Sequence, residues 1–241
     1  MSDLQKNIKL LLENKFKSEF NKELIIEYVE NVERREKEIL KNFHLHMDQA
    51  YKAKQFTGAF IPSTNKTPYY ILVKKEQNDQ KDIITVFHEF QHARLHESFL
   101  NEVFQQDIEK MKNSHLNKTF QFFSEFQAVE FSILQYIKLV RFEHMTEIET
   151  YEMILNTYQE DYLNIGENID KYNLLMYTLQ FAAVFFAVYS KHPTHNWKLN
   201  IKVDLALKKV ATILQALDNY RNSLEWYNYF DEEVREYIEI L

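Results

Sequence analysis

Residues 82–98 read Asp82-Ile83-Ile84-Thr85-Val86-Phe87-His88-Glu89-Phe90-Gln91-His92-Ala93-Arg94-Leu95-His96-Glu97-Ser98. Asp82 is a good N-cap, and the stretch from Ile83 to about Ser98 predicts one helix. Residues four apart on a helix lie one turn above each other on the same face. His88 and His92 therefore present two imidazoles side by side, an arrangement that binds one zinc ion at about 2.0–2.1 Å from each. Glu89 is rotated about 100° from His88. Its carboxylate reaches the edge of such a site without entering it. There it can take a proton from a water acidified by the metal and deliver it to a leaving amine.

The texture upstream is different. Phe56 to Lys75 holds Gly58, Pro62, Pro68 and the β-rich run Tyr69-Tyr70-Ile71-Leu72-Val73. This predicts two short strands, about Gly58–Ile61 and Tyr69–Lys74, joined by the polar turn Ser63-Thr64-Asn65-Lys66. A strand beside the motif helix is what a peptide substrate would pair with by β-augmentation. From Asn21 to about Tyr51, Ile25, Val29, Val32, Ile39, Phe43, Met47 and Ala50 recur near a helical period, and a helix is expected there. Its solvated face pairs Glu30 with Arg34 and Glu33 with Lys37. His44 and His46, two apart, point away from each other on a helix and do not form a metal pair.

Downstream, helices are expected over about Asn117–Arg141, from Thr146 (a capping box with Glu149), over Ile169–Ser190, Trp197–Ala216 and Arg221–Ile240. Gly166 is expected to end or interrupt the second of these. The fold class that follows is mainly α (α+β minor), a helical core with a small β-hairpin or sheet and extra C-terminal helices.

Composition narrows the chemistry. The 241 residues carry 29 Lys+Arg against 36 Asp+Glu, a formal charge of -7. That balance disfavours sequence-independent binding to nucleic acid, which runs on cations neutralising phosphates. The glycines number 2, Gly58 and Gly166, which excludes a glycine-rich phosphate cradle. With 0 cysteines, disulfides, iron–sulfur clusters and thiolate zinc sites are excluded, so a metal must be held by His and carboxylates. The N-terminal stretch Met1–Lys17 is amphipathic and charged, without a signal-peptide core. Leu174 to Tyr189 is apolar but shorter than the roughly 20 residues of a spanning helix, and reads as a buried helix. A cytoplasmic location without membrane association is the expectation.

A catalytic zinc ordinarily has three protein ligands and one open position. A histidine ten residues after His88 would supply the third in one common arrangement, but position 98 is Ser98. His96 lies two turns from His88, too far to share its ion. Glu125 is the better candidate. It shares a face of the predicted helix Asn117–Arg141 with Ala128 and Ser132, whose small side chains permit close helix approach. Glu130, about 140° around that helix, is the runner-up. For an oxyanion-stabilising group, His96, His115, Tyr69 and Tyr70 are candidates among which the sequence does not choose. His144, His192 and His195 read as surface residues.

These residues together resemble the ImmA/IrrE-type metallopeptidase family. Its pattern is similar to T-x-x-H-E-x-x-H followed some thirty residues on by E-x-x-A-x-x-F. Thr85, His88, Glu89 and His92 match the first part, and Glu125, Ala128 and Phe131 match the second. The resemblance implies His88, His92 and Glu125 as Zn2+ ligands, Glu89 as catalytic base and a helix-rich zincin-like core with a small sheet. It implies a cytoplasmic regulatory protease acting on a protein partner such as a repressor. Phe90-Gln91 stand where Leu-Gly is common in that family, Val129 where a polar residue is frequent, and Ser132 where Ala is usual. The match covers about 56–141. On this basis the chain divides into N-terminal helices (1–55), a metallopeptidase core (56–141) and a C-terminal helical region (142–241), as separate parts or one continuous domain.

The expected function is thus a zinc-dependent endopeptidase with a protein or peptide substrate. The alternative is a catalytically inactive, metal-binding helical interaction protein. A third reading is a plain helical module in which the motif is accidental.

Overall fold

The computed structural model describes residues 2–43, 57–63, 67–75, 79–139, 145–166 and 169–240. Among these the protein is mainly helical, with ten helices and one three-stranded sheet. Its contacts divide it into two compact units, Met1–Glu97 and Ser98–Leu241.

The first unit begins with α1 (Asp3–Phe20), opened by a capping box in which Ser2 and Gln5 satisfy each other's backbone N–H groups. Ile8, Leu12 and Phe16, spaced at one turn, are its buried stripe. Asn21 ends the helix in the left-handed conformation, φ 52°. The next residues form β1 (Leu24–Val29), where a helix was expected. The apolar spacing Ile25, Val29, Val32 imitates a helical period. However, Leu24-Ile25-Ile26-Glu27-Tyr28-Val29 is β-branched and aromatic, and it buries Leu24 and Ile26 by alternation. Pairing with a neighbouring strand decides the outcome. The helix starts only at α2 (Val32–Asn42), capped by Asn31. Glu30 therefore precedes it and lies 3.8 Å from Lys75, not against Arg34. The second expected pair, Glu33–Lys37, forms at 2.5 Å. His44, His46, Met47 and Ala50 lie outside the described residues.

Strands β2 (Gly58–Ile61) and β3 (Tyr69–Lys74) have the bounds read from the sequence. Of the turn between them, Thr64, Asn65 and Lys66 lie outside the described residues. The order is β1-β3-β2, with β1 parallel and β2 antiparallel to β3. Central β3 is buried from Tyr69 through Val73. Tyr70 and Leu72 pack with Val32 and Ile39 of α2. Tyr69, on the opposite face by the two-residue alternation of a strand, meets Phe16 of α1 at 5.1 Å.

α3 spans Asp79–Phe104, longer at both ends than expected, and crosses from the first unit into the second. Asp82 is consequently not an N-cap. It sits within the helix, is 1% exposed and accepts a hydrogen bond from Gln5 Nε2 at 2.9 Å. The capping residue of α1 is thereby latched to the beginning of α3.

The second unit contains the end of α3, then α4 (Ile108–Lys112), α5 (Leu116–Leu139), α6 (Glu147–Leu163) and α7 (Lys171–Tyr189). These are followed by α8 (Ile201–Lys209), α9 (Ala211–Asp218) and α10 (Leu224–Ile240). The Thr146–Glu149 capping box opens α6. The single helix expected over Trp197–Ala216 is two, because the chain breaks at Val210. α7 has the length and hydropathy of a membrane-crossing helix, but Leu175, Leu179, Ala182, Ala183, Ala187 and Val188 are wholly buried in the unit. An aromatic core joins three helices. Phe99 stacks on Phe120 at 4.2 Å and meets Tyr227 edge-on at 4.5 Å. Phe99→Ala removes a fully buried ring from this cluster and is expected to destabilise the protein by about 3–5 kcal/mol, read as a lower urea midpoint.

Candidate metal centre

α3 holds its motif because its two sides have different work. Val86, Phe90 and Ala93 are wholly buried, whereas His88, Glu89 and His92 are half-buried. The Nε2 atoms of His88 and His92 are 3.0 Å apart, with the rings at 81° to each other. Two ligands of one tetrahedral zinc are about 3.3 Å apart, so the pair matches that need within a few tenths of an ångström. At that distance one ring donates an N–H to the other when a proton lies between them, and a cation could take the place of that proton.

Glu89 lies beside the sheet. A Cβ added to Gly58 of β2 would meet Thr85 Cγ2 at 2.4 Å and Glu89 Oε1 at 3.0 Å. The missing side chain is what lets β2 run this close to α3 and brings the strand against the Glu89 carboxylate. In the sequence Gly58 marks a strand and enters the glycine count, whereas its place against Thr85 and Glu89 comes from the fold. Its being one of 2 glycines in the chain was the available signal.

His96, one turn beyond His92, is 8% exposed. It packs edge-on to Phe60 of β2, and its Nδ1 lies 3.2 Å from Tyr69 Oη. Tyr69 Oη also donates to Glu97, a carboxylate 1% exposed that Lys22 neutralises at 2.8 Å. Since the phenol proton goes to Glu97, the Tyr69 oxygen accepts from His96 Nδ1–H, which leaves the lone pair of His96 on Nε2. Burial pushes the His96 imidazole down to about 4; Glu97 opposes this and Lys22 reinforces it. Burial first, and the bond to Glu97 second, hold the Tyr69 phenol well above its ordinary range. The oxyanion candidates are thus separated. His96 and Tyr69 share the α3 side of the sheet, Tyr70 packs on the α2 side, and His115 is exposed in the second unit, 4.0 Å from Asp231.

Glu125 projects from α5 and is half-buried. It accepts a hydrogen bond from Gln180 Nε2 of α7 at 3.1 Å. Ala128 and Ser132, expected on its face, are buried at 0% and 2%. Among the described residues, one group of His and carboxylate side chains has ligand spacing. It comprises a nitrogen from each of His88 and His92 and an oxygen from Glu125, all within 4.8 Å of one another. Glu130 is outside this group, and its carboxyl is raised by burial and by Asp218. His192 and His195 are not fully at the surface. Each is half-buried, His192 against Tyr151 at 5.3 Å and His195 3.0 Å from Glu152. His144 lies outside the described residues. The donor set, two imidazoles and one carboxylate, is one that zinc and other first-row divalent metals accept.

No protein-family model, curated protein or solved structure matches the chain. The resemblance to the ImmA/IrrE-type family rests on the motif residues themselves.

Two outcomes test this geometry. Gly58→Ala forces β2 away from Thr85 and Glu89 and should destabilise the protein by about 1–3 kcal/mol in urea titration. For His96, the folded value of about 4 lies below the ordinary 6.5. Between those values the unfolded chain takes up a proton that the folded chain refuses, so stability is whole above pH 6.5 and falls as pH drops toward 4. Metal-free His96→Gln should therefore lose less stability than the parent between about pH 7 and 5. Equal losses in urea midpoint would count against the buried neutral imidazole.

Proposed function

We propose that the protein is a zinc-dependent endopeptidase in which His88, His92 and Glu125 hold the metal and Glu89 is the catalytic base. The observation that carries this reading is the ligand spacing of those three side chains, with Glu89 adjacent to His88 and against an edge strand. Zinc, when bound, acts as a Lewis acid and brings water to an acidity near neutral pH. Glu89 would take a proton from the attacking water as its oxygen bonds to the peptide carbonyl carbon, and would return that proton to the leaving nitrogen as the C–N bond breaks, giving a carboxylic acid and an amine.

The sheet supports a peptide as substrate. Among the described residues β2 is an edge strand, and an extended peptide could add to it through backbone hydrogen bonds beside Glu89. The other edge is occupied. Ile26 N–H of β1 donates to Glu13 at 2.8 Å, and Lys9 donates to Ile26 C=O at 2.5 Å. The resemblance supports a cytoplasmic regulatory protease with a protein partner such as a repressor. Exposed Ile201, Leu205, Tyr177 and Tyr189 favour partner binding, and keep alive the reading of a metal-holding interaction protein that does not cleave.

Elemental analysis of protein purified without chelator should find about one zinc per chain, lost in His88→Ala. Glu89→Gln should keep the metal and lower cleavage of an unfolded protein such as casein by about 10²–10⁴-fold. A metal-free parent protein ends the proposal. Cleavage absent from the zinc-loaded parent selects the interaction protein.

A further inference from the structure

We infer that Gln180 is a positioning residue for the Glu125 carboxylate as a metal ligand, an assignment that rests on the zinc reading above. Gln180 stands in the most apolar helix of the protein, between Leu179 and the run Phe181-Ala182-Ala183-Val184, all of them buried to within 2%. Gln180 itself is half-buried, and its amide bonds to a protein carboxylate rather than to solvent alone. Its partner is specific: Gln180 Nε2 donates to Glu125 Oε2 at 3.1 Å, across 55 positions of sequence. Thr178, two residues earlier, has a different and merely structural role, donating to Leu174 C=O at 2.8 Å within its own helix.

The chemistry of the donor matters. Glutamate is long and its terminal carboxylate rotates freely, so a lone Glu125 would lose conformational freedom on binding a cation. An amide N–H on one oxygen restricts the plane of the group before the cation arrives. Being neutral, it does so without cancelling the charge, as a lysine or arginine would. Ligating carboxylates are commonly held by such outer hydrogen bonds, and their loss weakens metal binding. α5 and α7 pack against each other, and Ala128 and Ser132 on one, with Ala182 and Ala183 on the other, are all buried small residues. This lets the two backbones approach closely enough for a glutamine to span the gap.

The test is titration of the metal-free, full-length chain with zinc chloride in competition with a fluorescent chelator. Gln180→Met keeps length and removes the donor; Gln180→Asn keeps the amide and shortens its reach. Either should weaken zinc binding by about 10–100-fold, with the thermal midpoint of the metal-free protein little changed. In a Glu125→Ala background, Gln180→Met should weaken binding no further. If Gln180→Met binds zinc as tightly as the parent while Glu125→Ala does not, the positioning role is overturned and the zinc reading stands. An undiminished effect in the Glu125→Ala background also overturns it. Absence of zinc binding by the parent overturns both.

Discussion

The pitch of α3 is the constraint on which the rest depends. At about 100° per residue, the helix sorts its side chains into three strips. Val86, Phe90, Ala93 and Glu97 fall within an arc of about 60°, and their wholly or nearly wholly buried positions anchor the helix. His88 and His92 occupy a second strip, about 40° wide. Thr85, Glu89 and His96 occupy a third, beside the second, and this is the strip that meets β2 through Gly58 and Phe60. One uninterrupted helix thereby delivers a buried anchor, the His88/His92 pair and Glu89 beside a strand. A kink or a slipped turn would break all three relations together, which is why the motif needs its four-residue spacing on a helix rather than in a loop.

Much of the fold was legible because its signals are local. The capping box at Thr146 and Glu149 and the two strands flanking Pro62 and Pro68 are readable within a few residues of themselves. What was not legible depends on distant partners. Leu24–Val29 becomes a strand because β3 lies beside it; its residues alone satisfy a helical period as well as an alternating one. Asp82 looks like an N-cap, and becomes an interior residue because Gln5 of α1 satisfies its carboxylate. The break at Val210 carries neither glycine nor proline to announce it.

The candidate site divides in the same way. His88, Glu89 and His92 are a local pattern, and Glu125 was chosen for the small residues on its helix face. Gly58 and Gln180 were not legible because the packing of the one and the hydrogen bond of the other involve another element. Each nevertheless left a compositional trace, a glycine in a chain with 2 of them and an amide within an apolar run. The linked Lys22, Glu97, Tyr69 and His96 are harder still. They come from three places in the first unit, and only the fold shows that the phenol proton is committed to Glu97.

The two edges of the sheet complete the physical argument. An open strand edge is a template for any extended chain, and proteins generally cover or charge such edges. β1 follows that rule: α1 supplies Glu13 and Lys9 to the N–H and C=O of Ile26. β2 is short, four residues, and carries Gly58, Ala59, Phe60 and Ile61 without a charged side chain. Among the described residues no such pair covers β2, whose four-residue length is itself a way of blunting an edge. On the proposed reading this is the edge where a peptide would enter, since its glycine brings the strand up to Glu89. The glycine serves close packing of strand on helix, and on the proposed reading the same closeness would set an extended backbone beside Glu89.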